Sequence, residues 1–144
     1  MKIFAGVATA FLLAASLQGC VSRLNGEQEQ MLSVYESKGF AVHEKNVGLS
    51  YGLGVLPIAG YAYNGHYVLM ITTIPLYPFL GPLWMPFDAA ASARSTNYYA
   101  TQRHVELLKR QEKKVADQEM EDKKITYEQH VRKEREIEDK YSPY

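Results

Sequence analysis

The sequence predicts an all-α protein with three helical parts: a short N-terminal helix, a hydrophobic helical hairpin broken by glycine and proline, and a long charged C-terminal helix. Two observations carry this prediction. Residues 46–93 contain one charged side chain, Asp88, and residues 87–142 contain neither glycine nor proline. A stretch of the first kind does not form a solvated surface, so we expect it to be buried against protein or lipid. The predicted segments are a signal peptide (1–19), a tether with the short helix (20–46), the hairpin (47–93) and the charged helix (94–144).

The N-terminus has the pattern of a secretory signal. Met1 and Lys2 form a short positive start, and the apolar run that follows is too short to span a bilayer stably. The run ends in a motif that resembles the lipobox of bacterial lipoproteins: Leu17, Gln18, Gly19 and Cys20. The resemblance implies cleavage after Gly19 and acylation of Cys20, and several acyl chains on one residue anchor a protein firmly. The alternative is an ordinary secretory signal with an unrelated cysteine.

The residue after the cysteine bears on location. In the lipoproteins that the motif resembles, aspartate at this position favours the inner membrane, so Val21 implies the outer membrane. An inserted hairpin over residues 47–87 would instead hold the protein in the inner membrane. We expect the lipid anchor to determine the location of the protein. It should then lie on the periplasmic side of the cell envelope, with the outer membrane favoured over the inner.

A short helix is predicted from Glu27 to Lys38. Its apolar face carries Met31, Leu32 and Tyr35, and acidic residues occupy its first turn. Gly39 follows, where a left-handed residue commonly ends a helix.

The hairpin is predicted from two apolar arms and the turn between them. Gly48 and Gly52 have the small-xxx-small spacing that lets membrane helices approach closely. In the second arm we expect a helix from about Tyr67 to Ile74, a broken segment to Pro82 and a restart near Pro86, because proline disrupts a helix interior. Full spanning and partial insertion both remain open. The turn comprises Tyr63, Asn64 and Gly65.

Tyr63 and Gly65 at the turn, together with Trp84 and Asp88 further along the chain, resemble the TM2 domain, a membrane hairpin. The likeness covers about 45 residues, including the Gly81-Pro82 break, and implies a hairpin architecture without any assigned chemistry. Gly60 and Tyr61 stand where that family usually has a histidine-arginine pair. The preceding segment resembles small bacterial lipoproteins that carry a degenerate copy. The matching positions are Tyr63, Gly65, Trp84 and Asp88.

Asp88 has two interpretations. An acid beside apolar sequence is a functional candidate in membranes, for example in ion or proton handling. Alternatively, it lies in the first turn of a helix that starts near Pro86, where the helix dipole stabilises a carboxylate. We favour the second interpretation.

The C-terminal segment is rich in good helix formers. It carries 12 of the 16 basic and 11 of the 16 acidic residues, and glutamates precede basic residues at four-residue spacing. Its apolar stripe is thin and irregular, which predicts a solvated single helix or a weak coiled coil rather than a strong zipper.

The composition indicates no catalytic chemistry. The formal net charge is zero, which argues against nucleic acid as a partner, and one cysteine excludes an intrachain disulfide. The four histidines are scattered in sequence, so we expect no enzyme activity, cofactor or metal site. The predicted partners are membrane lipid, through the acylated cysteine and the hairpin, and an envelope protein or a second copy, through the C-terminal helix. The predicted function is that of a structural or interaction module at the membrane. The alternative is a small channel-forming or membrane-perturbing subunit.

Overall fold

The computed structural model describes residues 23–56, 58–74 and 77–144, without the side chains of residues 79 and 80. The described chain is all-helical, which confirms the predicted fold class. The signal peptide, the lipobox, Val21, Pro57 and Pro75 lie outside these residues. In the order of the chain, the helices are α1 (Gly26–Ser37), α2 (Val47–Gly54), α3 (Ala59–Asn64), α4 (Tyr67–Thr73), α5 (Tyr77–Glu121) and α6 (Tyr127–Tyr141).

The chain divides into two compact units. Residues 47–95 form what we call the apolar unit, and Leu24–Asn46 together with Thr96–Tyr144 form the charged unit. Helix α5 contributes residues to both units.

In the apolar unit, α2, α3 and α5 meet at glycines. A Cβ atom on Gly60 would lie 2.8 Å from the Cα of Gly54 and 3.1 Å from the Cβ of Ala89. Gly52, by contrast, has open space where its Cβ would be. The close approach that we predicted at Gly48 and Gly52 therefore occurs two residues further on, along the Ser50–Gly54 side of α2, where both residues are buried. The contact keeps the small-xxx-small spacing, but it uses Ser50 and Gly54 instead of Gly48 and Gly52.

Helix α4 spans Tyr67–Thr73, which agrees with the predicted helix, but the predicted restart near Pro86 is wrong. Helix α5 begins at Tyr77 and contains Pro82 and Pro86 in its interior. Each of these prolines leaves one carbonyl without its helical donor, which is a local cost. At the second proline the helix packs closely against α2, because Met85 and Pro86 are buried against the backbone of Gly54.

The charged unit is built from α1, the later part of α5 and α6. Its apolar core contains Tyr35 from α1, Val105 and Ala116 from α5, and Ile137 and Tyr141 from α6. The C-terminal segment is therefore neither a solvated single helix nor one continuous helix: α5 ends at Glu121, and α6 folds back antiparallel along it. The thin apolar stripe is sufficient because each helix has to cover only one small face of its neighbours.

Three helices end in the same backbone motif. At the end of α1 the N–H of Phe40 donates to the carbonyl of Tyr35, with Gly39 at a φ of 75°. At the end of α3 the N–H of His66 donates to Tyr61, with Gly65 at a φ of 80°. This Schellman arrangement satisfies carbonyls that a helix end leaves open. The prediction for Gly39 is thus confirmed.

The third of these helix ends, that of α5, has no glycine. The N–H of Lys124 donates to the carbonyl of Glu119 at 2.8 Å, and that of Lys123 donates to Met120 at 3.0 Å. Lys123 itself has a φ of 57°. Because a lysine occupies the left-handed position, the sequence contains none of the usual signals for a helix end there, and α5 and α6 read as one helix. Thr126 then begins α6 with a capping box.

Candidate functional site: an apolar exterior over a polar interior

The apolar unit presents its large apolar side chains outward. Val68 and Ile71 on α4 are 66% and 63% exposed, although both are aliphatic. Of the 16 large hydrophobic side chains found exposed in the described chain, 11 belong to this unit. They are Leu49, Tyr51, Val55, Leu56, Ile58, Tyr67, Val68, Ile71, Ile74, Leu83 and Phe87.

The interior of the same unit consists largely of small and polar residues. Ser50 and Ala93 are completely buried, and Ala89 and Ser92 are nearly so. In a water-soluble domain the large apolar side chains occupy the interior. Here the distribution is reversed over much of the unit, and small residues at helix contacts are what allows helices to pack closely where no hydrophobic effect drives them together.

A hydrogen-bonded cluster joins α2, α3 and α5. The hydroxyl of Ser50 donates to the carbonyl of Ala89 at 2.7 Å, and Nδ2 of Asn64 lies 3.0 Å from the same carbonyl. The Asn64 amide also donates to Oγ of Ser50 at 2.8 Å. Among the described residues, its own Oδ1 has no hydrogen-bond partner, although it is buried. An unsatisfied buried oxygen is costly. The hydrogen bonds that the amide donates to Ser50 and Ala89 offset this cost and hold the side chain in place.

A second polar contact links α3 to Asp88. The hydroxyl of Tyr61 donates to Oδ2 of Asp88 at 2.9 Å. Burial first, and then the negative charge of Asp88, raise the pKa of Tyr61 to about 12, while a hydrogen bond from Trp84 opposes this rise. Both residues that the sequence analysis singled out in α5, Trp84 and Asp88, therefore interact with Tyr61. Sequence reasoning named Tyr61 only as a departure from the TM2 pattern and not as a partner of Asp88, because nothing in a linear pattern pairs a tyrosine with an acid 27 positions away.

The first-turn interpretation of Asp88 is wrong. Because α5 begins at Tyr77, Asp88 lies about three turns into the helix, and the first turn of α5 contains no acidic residue. The carboxylate accepts a hydrogen bond from the Tyr61 hydroxyl and does not lie at the free N–H groups of a helix end.

The predicted turn residues lie at the end of α3. Tyr63 and Asn64 are its last two residues, and Gly65 follows in the left-handed conformation. Next to them, Nε2 of His66 lies 2.7 Å from Oγ of Ser92. The turn is therefore joined to α5 through Asn64 and His66. Cys20 and the other lipobox residues lie outside the described part of the chain.

The charged unit holds one cluster with the chemistry of a metal site. Asp117, His130 and Glu134 place their candidate ligand atoms within 4.8 Å of one another. The sequence analysis expected no such cluster, because the four histidines are scattered in sequence. The fold-back of α6 brings His130 next to Asp117, which is 13 positions away in the chain.

No protein-family model, curated protein or solved structure matches this chain. The lipoprotein motif and the TM2 likeness therefore stay sequence-based predictions. Among the described residues, no helix is both long enough and apolar enough to cross a membrane.

Proposed function

We propose that the protein is a lipid-anchored component of the bacterial cell envelope that acts as a structural or interaction module at the membrane, without catalytic activity. Acylated Cys20 provides the anchor. The apolar unit lies against, or dips into, the lipid leaflet, and the charged unit offers a polar surface for protein contacts.

The single observation that carries the proposal is the reversed distribution of side chains in the apolar unit. Aliphatic and aromatic side chains such as Val68, Ile71 and Phe87 lie outside, while Ser50 and Ser92 lie inside. Residues 47–93 hold one charged residue, Asp88, so few ionic groups oppose transfer of this surface into lipid. Contiguous apolar surface on a protein marks a contact with a membrane or another protein. The predicted lipid anchor favours the membrane.

The charged unit supplies a different kind of surface. Its apolar side chains Val105, Ile137 and Tyr141 are buried in its own core, and its surface carries many charged groups. Glu138, for example, pairs with Lys109 and with Lys113 at 2.5 Å in each case. Such a surface suits a polar contact with another envelope protein better than a helix-to-helix zipper.

Vesicle flotation tests the membrane contact separately from the anchor. The chain from residue 20 onward with Cys20→Ala, which lacks the apolar signal segment and cannot be acylated, should still float with phospholipid vesicles because the apolar unit binds lipid. Adding Val68→Asn and Ile71→Asn should abolish flotation, whereas Leu107→Asn and Val115→Asn, exposed apolar positions of the charged unit, should not. Equal flotation of both double variants, or no flotation of Cys20→Ala itself, would contradict the proposed surface.

Metabolic labelling tests the anchor. Wild-type protein should incorporate palmitate, and Cys20→Ala should lose the label and accumulate as the uncleaved precursor. Density-gradient fractionation should then place the acylated protein in the outer membrane, and Val21→Asp should move it to the inner membrane. Recovery of both forms in the inner membrane would show that the hairpin, and not the anchor, decides the location.

The channel alternative requires Asp88 to face a pore. That carboxylate instead accepts a hydrogen bond from Tyr61 within its own unit, which favours a structural role for it. Conductance measurements on vesicles that contain the purified protein distinguish the two functions.

A further inference from the structure

The reversal after α5 places three potential metal ligands on facing surfaces of two helices. Asp117 belongs to α5, and His130 and Glu134 belong to α6. His130 and Glu134 are four residues apart, so they lie on the same face of α6, one turn from each other. Asp117 reaches them from the opposite helix, which makes the cluster a bridge between α5 and α6.

The distances suit a small cation. Nε2 of His130 lies 2.7 Å from Oδ1 of Asp117, and all three ligand atoms fit within 4.8 Å. Zinc binds histidine nitrogen and carboxylate oxygen at about 2.0–2.2 Å, which separates neighbouring ligands by roughly 3–3.5 Å. The contact between His130 and Asp117 therefore has to widen by less than about 1 Å to admit a cation in place of the shared proton.

The surroundings also suit a bound cation. His130 is 7% exposed and so is held in place by packing, whereas Asp117 is exposed and Glu134 half-buried. Water can thus complete the coordination from the solvent side. Two lysines close to the ligands in sequence have their ammonium groups paired with other acids: Lys113, one turn before Asp117, with Glu138, and Lys133, next to Glu134, with Glu119.

We propose that Asp117, His130 and Glu134 form a binding site for a divalent first-row transition-metal ion such as Zn²⁺. One imidazole and two carboxylates favour such an ion over Mg²⁺ or Ca²⁺, which prefer sets of oxygen ligands. Occupation of the site joins α6 to α5 and stabilises the folded-back form of the charged unit, where otherwise a small core and exposed ion pairs hold α6. This site is independent of the membrane contact proposed for the apolar unit.

Calorimetry and thermal unfolding of the full-length protein with ZnCl2, and separately with MgCl2, test the site. Zn²⁺ should bind with one-to-one stoichiometry and raise the Tm by roughly 5 °C or more at saturation, and Mg²⁺ should do neither. Asp117→Asn and Glu134→Gln keep the size of the side chain and should weaken Zn²⁺ binding by about tenfold or more. Glu136→Gln is the matched control, because it removes one carboxylate from α6 outside the cluster, and it should bind Zn²⁺ like the wild type.

Absence of Zn²⁺ binding to the wild type, or equal binding by Asp117→Asn and Glu134→Gln, overturns the site. A measurement on the wild type alone guards against variants that do not fold. Paramagnetic Co²⁺ should broaden the NMR signals of the His130 ring and leave those of the exposed His43 and His104 rings sharp. Broadening of His43 or His104 without His130 equally overturns the proposal.

Discussion

A Cβ atom on Gly54 would lie 2.5 Å from the Cα of Pro86. The backbones of α2 and α5 are therefore in direct contact at this point, and any side chain larger than hydrogen would force them apart. The same contact accounts for the burial of Pro86 inside a helix, since the proline ring belongs to the surface on which α2 packs. Close packing of this kind requires small residues at the contact between the two helices.

Gly54→Ala should lower the free energy of unfolding by about 2–3 kcal/mol, because the new methyl group meets backbone atoms that have no room to move. Gly52→Ala is the matched control two residues away, with open space around its Cβ. It should raise the stability by about 0.5–1 kcal/mol, since alanine favours the helix. Urea denaturation of the full chain measures both. A neutral Gly54→Ala would contradict the close contact.

Tyr61→Phe should remove the hydrogen-bond donor to Asp88 and cost about 1 kcal/mol of stability at neutral pH. The wild type should also lose stability as the pH rises from about 10 towards about 12, because the pKa of Tyr61 is raised to about 12 and the unfolded chain releases that proton earlier. Tyr61→Phe abolishes this alkaline contribution.

The control for this experiment is Tyr67→Phe, which changes an exposed tyrosine of the same unit. Thermal unfolding of the three proteins at about pH 8 and about pH 11 makes the comparison. Identical alkaline losses in Tyr61→Phe and Tyr67→Phe would show that Tyr61 is not buried in the way that the structure has it.

Lys123→Gly should stabilise the protein by about 1 kcal/mol, because the residue has a φ of 57°, a conformation that costs a lysine more than a glycine. Lys124→Gly, one residue later, should bring no such gain. The sign of the effect separates two folds. In an uninterrupted helix, glycine at position 123 would destabilise by about 1 kcal/mol. A lower Tm for Lys123→Gly than for the wild type would therefore indicate that residue 123 lies inside one uninterrupted helix.

Ile137→Ala should lower the free energy of unfolding by about 2–4 kcal/mol, because Ile137 is buried in the core of the charged unit. Val115→Ala, at an exposed site on α5 of the same unit, should change it by less than about 0.5 kcal/mol. Chemical denaturation followed by circular dichroism reports both values. Equal, small effects would indicate that α6 is solvated rather than packed.

Local sequence signals were enough to predict the all-α class, the positions of α1 and α4, and the left-handed residue Gly39. Helix propensity, capping and glycine act over a few residues, so their signals are visible in the chain itself. The single charge in residues 46–93 likewise marked the apolar unit before its side chains were placed.

The phase of the helix contacts, the course of α5 and the fold-back of α6 depended on tertiary structure. Helix α5 contains Pro82 and Pro86 against their local preference, and at Pro86 it packs against Gly54. At Lys123, backbone hydrogen bonds end a helix where no glycine or proline marks the end, and the core around Ile137 compensates for the conformational cost. Contacts between residues far apart in sequence, such as Tyr61 with Asp88 and His130 with Asp117, exist only after these reversals, because spatial neighbourhood and not local pattern creates them.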